Sequence, residues 1–342
     1  MIRKVTTLAA FLVAAPALAA LLVNGAGATF PFPLYSKWFS AYNKLNPEMQ
    51  FNYQSIGSGG GIQQITAGTV DFGASDAPMS DAELLKAPDL LHIPTAMGAV
   101  VVTWNLPSVK ALKLTPDVLA DVFLGQVTKW NDARIAKENP GVTLPDQSIA
   151  VVHRSDGSGT TAIFTDYLAK VSPAWKTAVG AGKSVKWPAG LGAKGNEGVT
   201  GQIKQIPGAI GYVELVYAQE NKLPSAALKN RAGKFVEPTI ASTSAAAVGA
   251  QIPADMRVSL TDAPGAEAYP IASLTYLLVH KNQTDAAKGK ALVEFLWWAI
   301  HDGQKLAAPL YYAPLPAPVV TRDEALVKSI TVEGKPVSLG RG

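Results

Sequence analysis

The apolar run Ile149-Ala150-Val151-Val152 passes straight into His153-Arg154-Ser155-Asp156-Gly157-Ser158-Gly159-Thr160-Thr161, and a helical pattern follows from Thr160 to Lys170. A buried strand that turns through small hydroxyl and glycine residues directly into a helix is an α/β unit, which restricts the fold to layered sheets and helices. Such a turn leaves N–H groups of the first helical turn without partners and aims them at one spot. The helix dipole favours negative charge there, and arginine adds a planar fork that fits a tetrahedral oxyanion. The segment is therefore read as one wall of an anion site.

The same alternation of short strand-like runs and helical patterns continues along the chain. Pro31 to Leu45 reads as a helix, with prolines suited to a first turn and Leu34, Trp38, Tyr42 and Leu45 on one face. Phe51, Tyr53 and Ser55 alternate as in a strand. Gly60 to Ala67 reads as a short helix and Val70 to Gly73 as a strand. Ala99 to Trp104 is apolar and β-branched, a buried strand. Thr115-Pro116-Asp117 opens a helix that runs to Leu124. Gly208 to Val213 and Leu274 to His280 are expected to be strands. Ser242 to Ala250 and Ala291 to Ala307 are expected to be helices, and the proline-rich Pro309 to Pro318 an extended arm. No Pro/Gly/Ser tether divides the chain. Two domains would therefore be joined by strands that cross between them, with Ala99–Asn105 and Tyr269–Ser273 as the candidate crossings.

With 342 residues the chain is long enough for two domains with full cores, and an apolar content of 48% excludes a disordered chain. Residues 1–19 read as a secretory leader: basic Arg3-Lys4, an apolar core from Leu8 to Ala15, and a small-x-small cleavage site at Ala17-Leu18-Ala19. The competing reading is an uncleaved anchor from Val5 to Val23, but Thr6, Thr7 and Pro16 interrupt it and no basic stop follows. Removing the leader's two cations from the formal charge of +4 leaves +2, too small an excess to argue for nucleic acid or an anionic membrane. There is no cysteine, hence no disulfide and no lipid-modified N-terminal cysteine. Export without either fits the periplasm.

Three segments place small or hydroxyl residues immediately before a helix: Gly25-Ala26-Gly27-Ala28-Thr29-Phe30-Pro31, Ile56-Gly57-Ser58-Gly59-Gly60-Gly61 and Asp156-Gly157-Ser158-Gly159-Thr160. Each alone reads as an ordinary N-cap with glycines for turn geometry. Three in one chain, one of them beside an arginine, argue for a shared ligand. Arg154 and Asp156 are two apart, so in extended backbone they share a side, and Asp156 can steady the guanidinium. The alternative is a surface ion pair of little worth. Asp76, in Phe72-Gly73-Ala74-Ser75-Asp76-Ala77-Pro78, reads either as an Asx-turn before proline or as an acceptor inside the anion site. A carboxylate there repels an anion unless that anion still carries a proton to donate. Phosphate does so near neutral pH and sulfate does not.

Other motifs fail on context. Gly190-Leu191-Gly192-Ala193-Lys194-Gly195 matches a dinucleotide pattern, but Trp187-Pro188 precedes it in place of a buried strand. Gly182-Lys183-Ser184 resembles the end of a P-loop whose first glycine would fall at Thr177. His92, His153, His280 and His301 have no metal-ligand spacing, and Gly157-Ser158-Gly159 lacks the spacing of a nucleophile elbow.

These motifs in combination resemble the periplasmic phosphate-binding proteins of bacterial high-affinity phosphate ABC transporters. The likeness runs over essentially the whole chain after the leader and includes Val70–Pro78 and Pro207-Gly208-Ala209-Ile210-Gly211-Tyr212. The resemblance implies an α/β periplasmic-binding-protein fold of type II, the Venus-flytrap, in which two lobes close on a ligand about a two-crossing hinge. Residues 20–100 plus 271–342 would form one lobe and 101–270 the other. Phosphate would sit dehydrated between them. Thr29 and Phe30 would donate through backbone N–H, and Thr29 also through its hydroxyl. Ser58 would donate from hydroxyl and N–H. Asp76 would accept the phosphate proton. Arg154 would grip two oxygens, steadied by Asp156, and Ser158, Gly159 and Thr160 would close the far side. His153 stands where the family often has another basic residue, and Gly59 where serine is common. The loop Gly190–Asn196 also looks family-like, with no ligand role assigned. The resemblance implies a monomer that hands phosphate to transmembrane permease subunits, with no metal, no organic cofactor, no nucleic acid and no enzymatic activity. The rivals are a binding protein for another oxyanion, a surface adhesin, and a secreted phosphatase, which would need a nucleophile with a base or metals.

Overall fold

The computed structural model describes residues 20–339, so the expected leader at residues 1–19 lies outside the described residues. The elements that position the site are β1 (Leu21–Gly27), α1 (Phe32–Leu45), β2 (Met49–Ser55), α2 (Ser58–Thr66), β3 (Phe72–Ser75), β4 (Leu90–Trp104), β5 (Ala150–Arg154), α3 (Gly159–Val171), β6 (Leu191–Ala193), α4 (Gly195–Gln205), β7 (Ala209–Glu214), β8 (Ala272–His280), α5 (Ala286–Ile300) and α6 (Ala317–Lys328).

Eight of these strands form one sheet in the order β2-β1-β3-β8-β4-β7-β5-β6. At one end β1 pairs in parallel with β2 and β3, and at the other β5 pairs in parallel with β6 and β7. The antiparallel strands β4 and β8 lie between. β4 belongs to both halves: from Leu90 to Ala99 it pairs with β8, and from Val100 to Trp104 with β7. All of β4 but Leu91 is buried, as in a strand covered on both faces. It is an α/β architecture built on one mixed eight-stranded sheet.

Aromatic packing holds each end. On the β1 side the Phe39 and Phe51 rings stack at 5.0 Å, and Phe51 meets Phe295 of α5 at 4.5 Å. On the β5 side Phe164 stacks on Tyr212 at 4.3 Å. Among the described residues no helix is long and apolar enough to cross a membrane.

Several expected boundaries move. The strand expected from Ala99 begins at Leu90. The strand at Val70–Gly73 lies instead at Phe72–Ser75. The helix expected over Ala291–Ala307 starts earlier, where the Asp285 side chain caps the Lys288 N–H at 3.0 Å. It ends at Ile300, and Asp302–Leu306 continues as a 3-10 turn. Gly303 is a weak helix former there, and its carbonyl accepts from the Trp38 indole N–H at 2.7 Å. The helix expected over Ser242–Ala250 covers only Ile240–Ala245, because a Thr239–Ser242 capping box starts it early and a turn with Gly249 at φ +76° follows. The expected arm Pro309–Pro318 is extended only in part. It begins with the 3-10 turn Ala308–Leu310, pairs Ala313 with Met97, and gives way to α6 at Ala317, where Pro316 and Pro318 occupy helix-start positions that tolerate proline.

Candidate anion-binding site

All the candidate turns hang from the carboxyl ends of strands, where open α/β sheets place their ligands. β1 ends at Gly27, whose φ of +146° and contact with β3 exclude a side chain: a Cβ there would lie 2.1 Å from the Ala74 carbonyl oxygen. The chain then presents Thr29 and Phe30, both buried, and turns into α1. β2 leads into α2 through Gly57 and Ser58, and β5 into α3 through Asp156 to Ser158. The second and third turns touch directly, with the Gly59 N–H donating to the Gly157 carbonyl at 2.8 Å.

The backbone groups at these helix starts share one property. The N–H groups of Thr29, Phe30, Ser58, Gly159 and Thr160 find no acceptor among the described residues. Thr29, Phe30, Ser58 and Thr160 are each no more than 2% exposed, and a buried orphan donor is rare in a folded chain. Ser158 differs: its N–H donates to the Lys183 carbonyl at 2.8 Å, and its hydroxyl oxygen caps α3 by accepting from the Thr161 N–H at 2.9 Å. The Ser158 hydroxyl hydrogen is left to donate elsewhere. Close approach of the turns also accounts for glycine at 159, where a Cβ would meet Ser58 Oγ at 2.4 Å and Asp76 Oδ2 at 2.6 Å.

Arg154, at the end of β5, has a side chain only 1% exposed. Its Nε donates to Asp156 Oδ1 at 2.8 Å and its Nη2 to Oδ2 at 2.6 Å, a bidentate fork. Nη1 donates to Thr160 Oγ1 at 3.3 Å. Burial pushes the Asp156 carboxyl up, but the Arg154 bonds and charge, with the Gly195 N–H at 3.0 Å, outweigh it and hold the group below the ordinary carboxylate range. Asp156 stays charged and holds the guanidinium from behind.

Asp76, just past β3, is 1% exposed. Its Oδ1 accepts from the Thr275 hydroxyl at 2.9 Å, and its Oδ2 from Ser58 Oγ at 3.4 Å. The Asp76 N–H donates to Ser58 Oγ at 3.2 Å, which locks serine and aspartate together. Burial pushes the Asp76 carboxyl up to about 7, against the lowering effects of the Thr275 bond, the Arg154 charge and the Ser58 bond.

Direct contacts therefore join Ser58 with Asp76 and Arg154 with Thr160, Gly159 lies against both Ser58 and Asp76, and the Asn196 amide links Thr29 to Thr160, with Phe30 and Ser158 next to them in the chain and Asp156 behind the arginine. Sequence reasoning missed three contributors. Thr275 supports Asp76 from inside an apolar run that marks only a core strand. Tyr217 donates to the Thr29 carbonyl at 2.5 Å, and nothing in its own segment points to a ligand. Asn196, fully buried, closes the loop Gly190–Asn196, for which the resemblance implies no ligand role. Of the remaining candidates, His153 stacks on Trp187 with ring centroids 4.6 Å apart, outside the anion shell. Of the glycines of the dinucleotide-like pattern, Gly190 precedes the edge strand β6, Gly192 lies within it and Gly195 starts α4. Among the described residues no group of three or more His, Asp or Glu is placed to hold a metal ion.

Comparison with known proteins gives a consistent result. A family model described as a PBP superfamily domain matches residues 13–299. The phosphate-binding protein PstS of Pasteurella multocida is 50% identical over 311 residues, which cover 90% of this chain and 90% of that one. The phosphate-binding protein PstS of Haemophilus influenzae is 48% identical over 303 residues, 87% of this chain and 90% of that one. Among solved structures, the phosphate-binding protein of Stenotrophomonas maltophilia is 20% identical and superposes with a TM-score of 0.71, covering 90% of this chain and 94% of that one. A high-affinity periplasmic phosphate-binding protein (PfluDING) bound with phosphate is 23% identical, with a TM-score of 0.71 over 89% of this chain and 93% of that one. At these identities the solved structures establish the fold.

Proposed function

The chain belongs to the PstS family of phosphate-binding proteins, and from that premise we propose that it binds inorganic phosphate in the periplasm and delivers it to an ABC transporter. The observation that supports it is that five N–H groups at or just before helix starts have no acceptor among the described residues and lie beside a buried arginine and the buried carboxyl of Asp76. A dehydrated anion needs every lost water hydrogen bond replaced, and this shell offers mostly neutral, preorganised donors. Thr29 and Phe30 donate from the β1 side, Ser58 from α2, and Ser158, Gly159 and Thr160 from α3. Arg154 grips two oxygens while Asp156 fixes it. On this reading the site binds rather than reacts: the Ser58 hydroxyl meets Asp76 only at 3.4 Å, and among the described residues no group of three or more His, Asp or Glu is placed to hold a metal ion.

Asp76 sets selectivity. A buried carboxyl pushed to about 7 accepts the hydrogen that phosphate carries near neutral pH. Sulfate brings no hydrogen and would place a lone pair against the carboxylate. A site organised around one such bond discriminates by on the order of 10⁴-fold.

The lobes are residues 20–100 with 271–342, and residues 101–270. The exchange of β4's partner from β8 to β7 at Ala99/Val100, together with the bond from the Val100 N–H to the Ile271 carbonyl at 2.8 Å, supports crossings at Ala99–Asn105 and Tyr269–Ser273. Closure completes the shell and creates the surface that permease subunits read, the protein acting as a monomer. Isothermal titration tests the reading: phosphate should bind tightly and sulfate not detectably. Equal binding of sulfate, or turnover of a chromogenic phosphate ester, would overturn it.

A further inference from the structure

We propose that Asn196 is a positioning residue that turns two hydroxyls of the site into obligate donors, so that the shell offers an anion hydrogens everywhere except at Asp76. The inference rests on the phosphate-binding reading above and deepens it.

Asn196 stands at the start of α4 with no exposed surface. Its Oδ1 accepts from the Glu214 backbone N–H at 3.0 Å, a donor that cannot reverse its role. This fixes the amide orientation, so Nδ2 must face the other way. Nδ2 donates to Thr29 Oγ1 at 2.7 Å and to Thr160 Oγ1 at 3.1 Å. A hydroxyl oxygen has two lone pairs and one hydrogen. At Thr29 both lone pairs are taken, by Asn196 Nδ2 and by the Asn196 backbone N–H at 3.2 Å. At Thr160 both are taken as well, by Nδ2 and by Arg154 Nη1 at 3.3 Å. Each hydroxyl retains only its hydrogen, which is free to point at a ligand oxygen. One amide thereby sets the polarity of two donors that come from opposite ends of the sheet, Thr29 after β1 and Thr160 in α3.

An isosteric reversal separates this role from packing. The Asn196→Asp variant fills the same volume, but its carboxylate accepts where the asparagine amide donates, so both threonine hydroxyls would turn toward it. The experiment is titration of the full chain with inorganic phosphate, alongside thermal unfolding without phosphate. Asn196→Ala should weaken phosphate by roughly 10- to 100-fold, the loss of preorganisation at two hydrogen bonds. Asn196→Asp should weaken it more than Asn196→Ala does. In a Thr29→Val, Thr160→Val background, where no hydroxyl remains to orient, Asn196→Ala should change affinity less than about threefold. Should Asn196→Ala fail to fold, Asn196→Ser in the same two backgrounds carries the comparison. Unaltered affinity in Asn196→Asp, or full additivity in the double-valine background, would overturn the proposal and leave phosphate binding intact. Failure of the unaltered chain to bind phosphate would instead remove the reading beneath it.

Discussion

Two carboxyl groups near Arg154, those of Asp156 and Asp76, are driven in opposite directions by their surroundings. Asp156 lies behind Arg154, accepts its fork at 2.8 and 2.6 Å, and is held below the usual range. Asp76 is buried against hydroxyls and is pushed up to about 7. Asp323 of α6 supplies the limit of burial alone. It has no exposed surface, neither oxygen has a partner among the described residues, and burial raises it to about 9. Asp76 stops short of that value because Thr275, Arg154 and Ser58 favour its charged form. The lesson is that one side chain serves as a permanent counter-ion or as a proton acceptor according to the donors around it.

Replacing Arg154 with alanine should have the largest effect. It removes the cation of the site and strands Asp156, and loss of one partner from a buried, hydrogen-bonded charge pair costs roughly 2–5 kcal/mol, about 30- to 5,000-fold in phosphate affinity. Near-normal affinity by calorimetry would break the idea that Arg154 supplies the grip. Asp76→Asn should weaken phosphate about 10- to 100-fold, because an amide cannot take the ligand hydrogen on both candidate atoms, and it should admit sulfate. If that variant still excludes sulfate in a titration, Asp76 does not read the proton. Ser58→Ala should weaken phosphate about tenfold, the worth of one buried hydrogen bond. Asp156→Asn should change it only a few-fold: the arginine is held less firmly, but a negative charge beside the anion is also removed. An Asp156→Asn effect as large as that of Asp76→Asn would erase the contrast between the two carboxyl groups.

Asp323 sharpens the comparison through stability. Its folded value of about 9 lies above the ordinary 3.8, so the folded state holds a proton that the unfolded state has released between those pH values. Its contribution therefore favours folding most at acid pH and declines as pH rises toward 9, by roughly 7 kcal/mol at the upper limit. Asp323→Asn should raise the melting temperature by about a few degrees at pH 8 and by less at pH 5. A gain independent of pH would show that burial does not protonate this group.

The local units were legible in the chain. A strand, a turn of glycine and hydroxyl residues and a helix are written in contiguous residues, so β5 and α3 appear where Ile149 to Lys170 placed them. The pairing of Arg154 with Asp156 follows from a two-residue spacing. Boundaries shifted where packing overrode pattern, as at Gly303, whose carbonyl takes the Trp38 indole. Thr275 and Asn196 gave no sign of their roles, because a threonine in an apolar run and an asparagine in a glycine loop acquire meaning only from what stands opposite.

By itself the sequence determined the layered α/β class, the helix starts rich in unpaired N–H groups, and the presence of an arginine and an acid suited to a protonated oxyanion. These rest on propensity, periodicity and spacing, which act over a few residues. Only the tertiary structure decided that Asp76 stands within one shell with Ser58 and Arg154, that burial lifts its proton affinity, and that a single amide aims hydroxyls from both ends of the sheet. Those properties come from distances between residues far apart in the chain and from the exclusion of water, and neither exists until the sheet has closed over its strand ends.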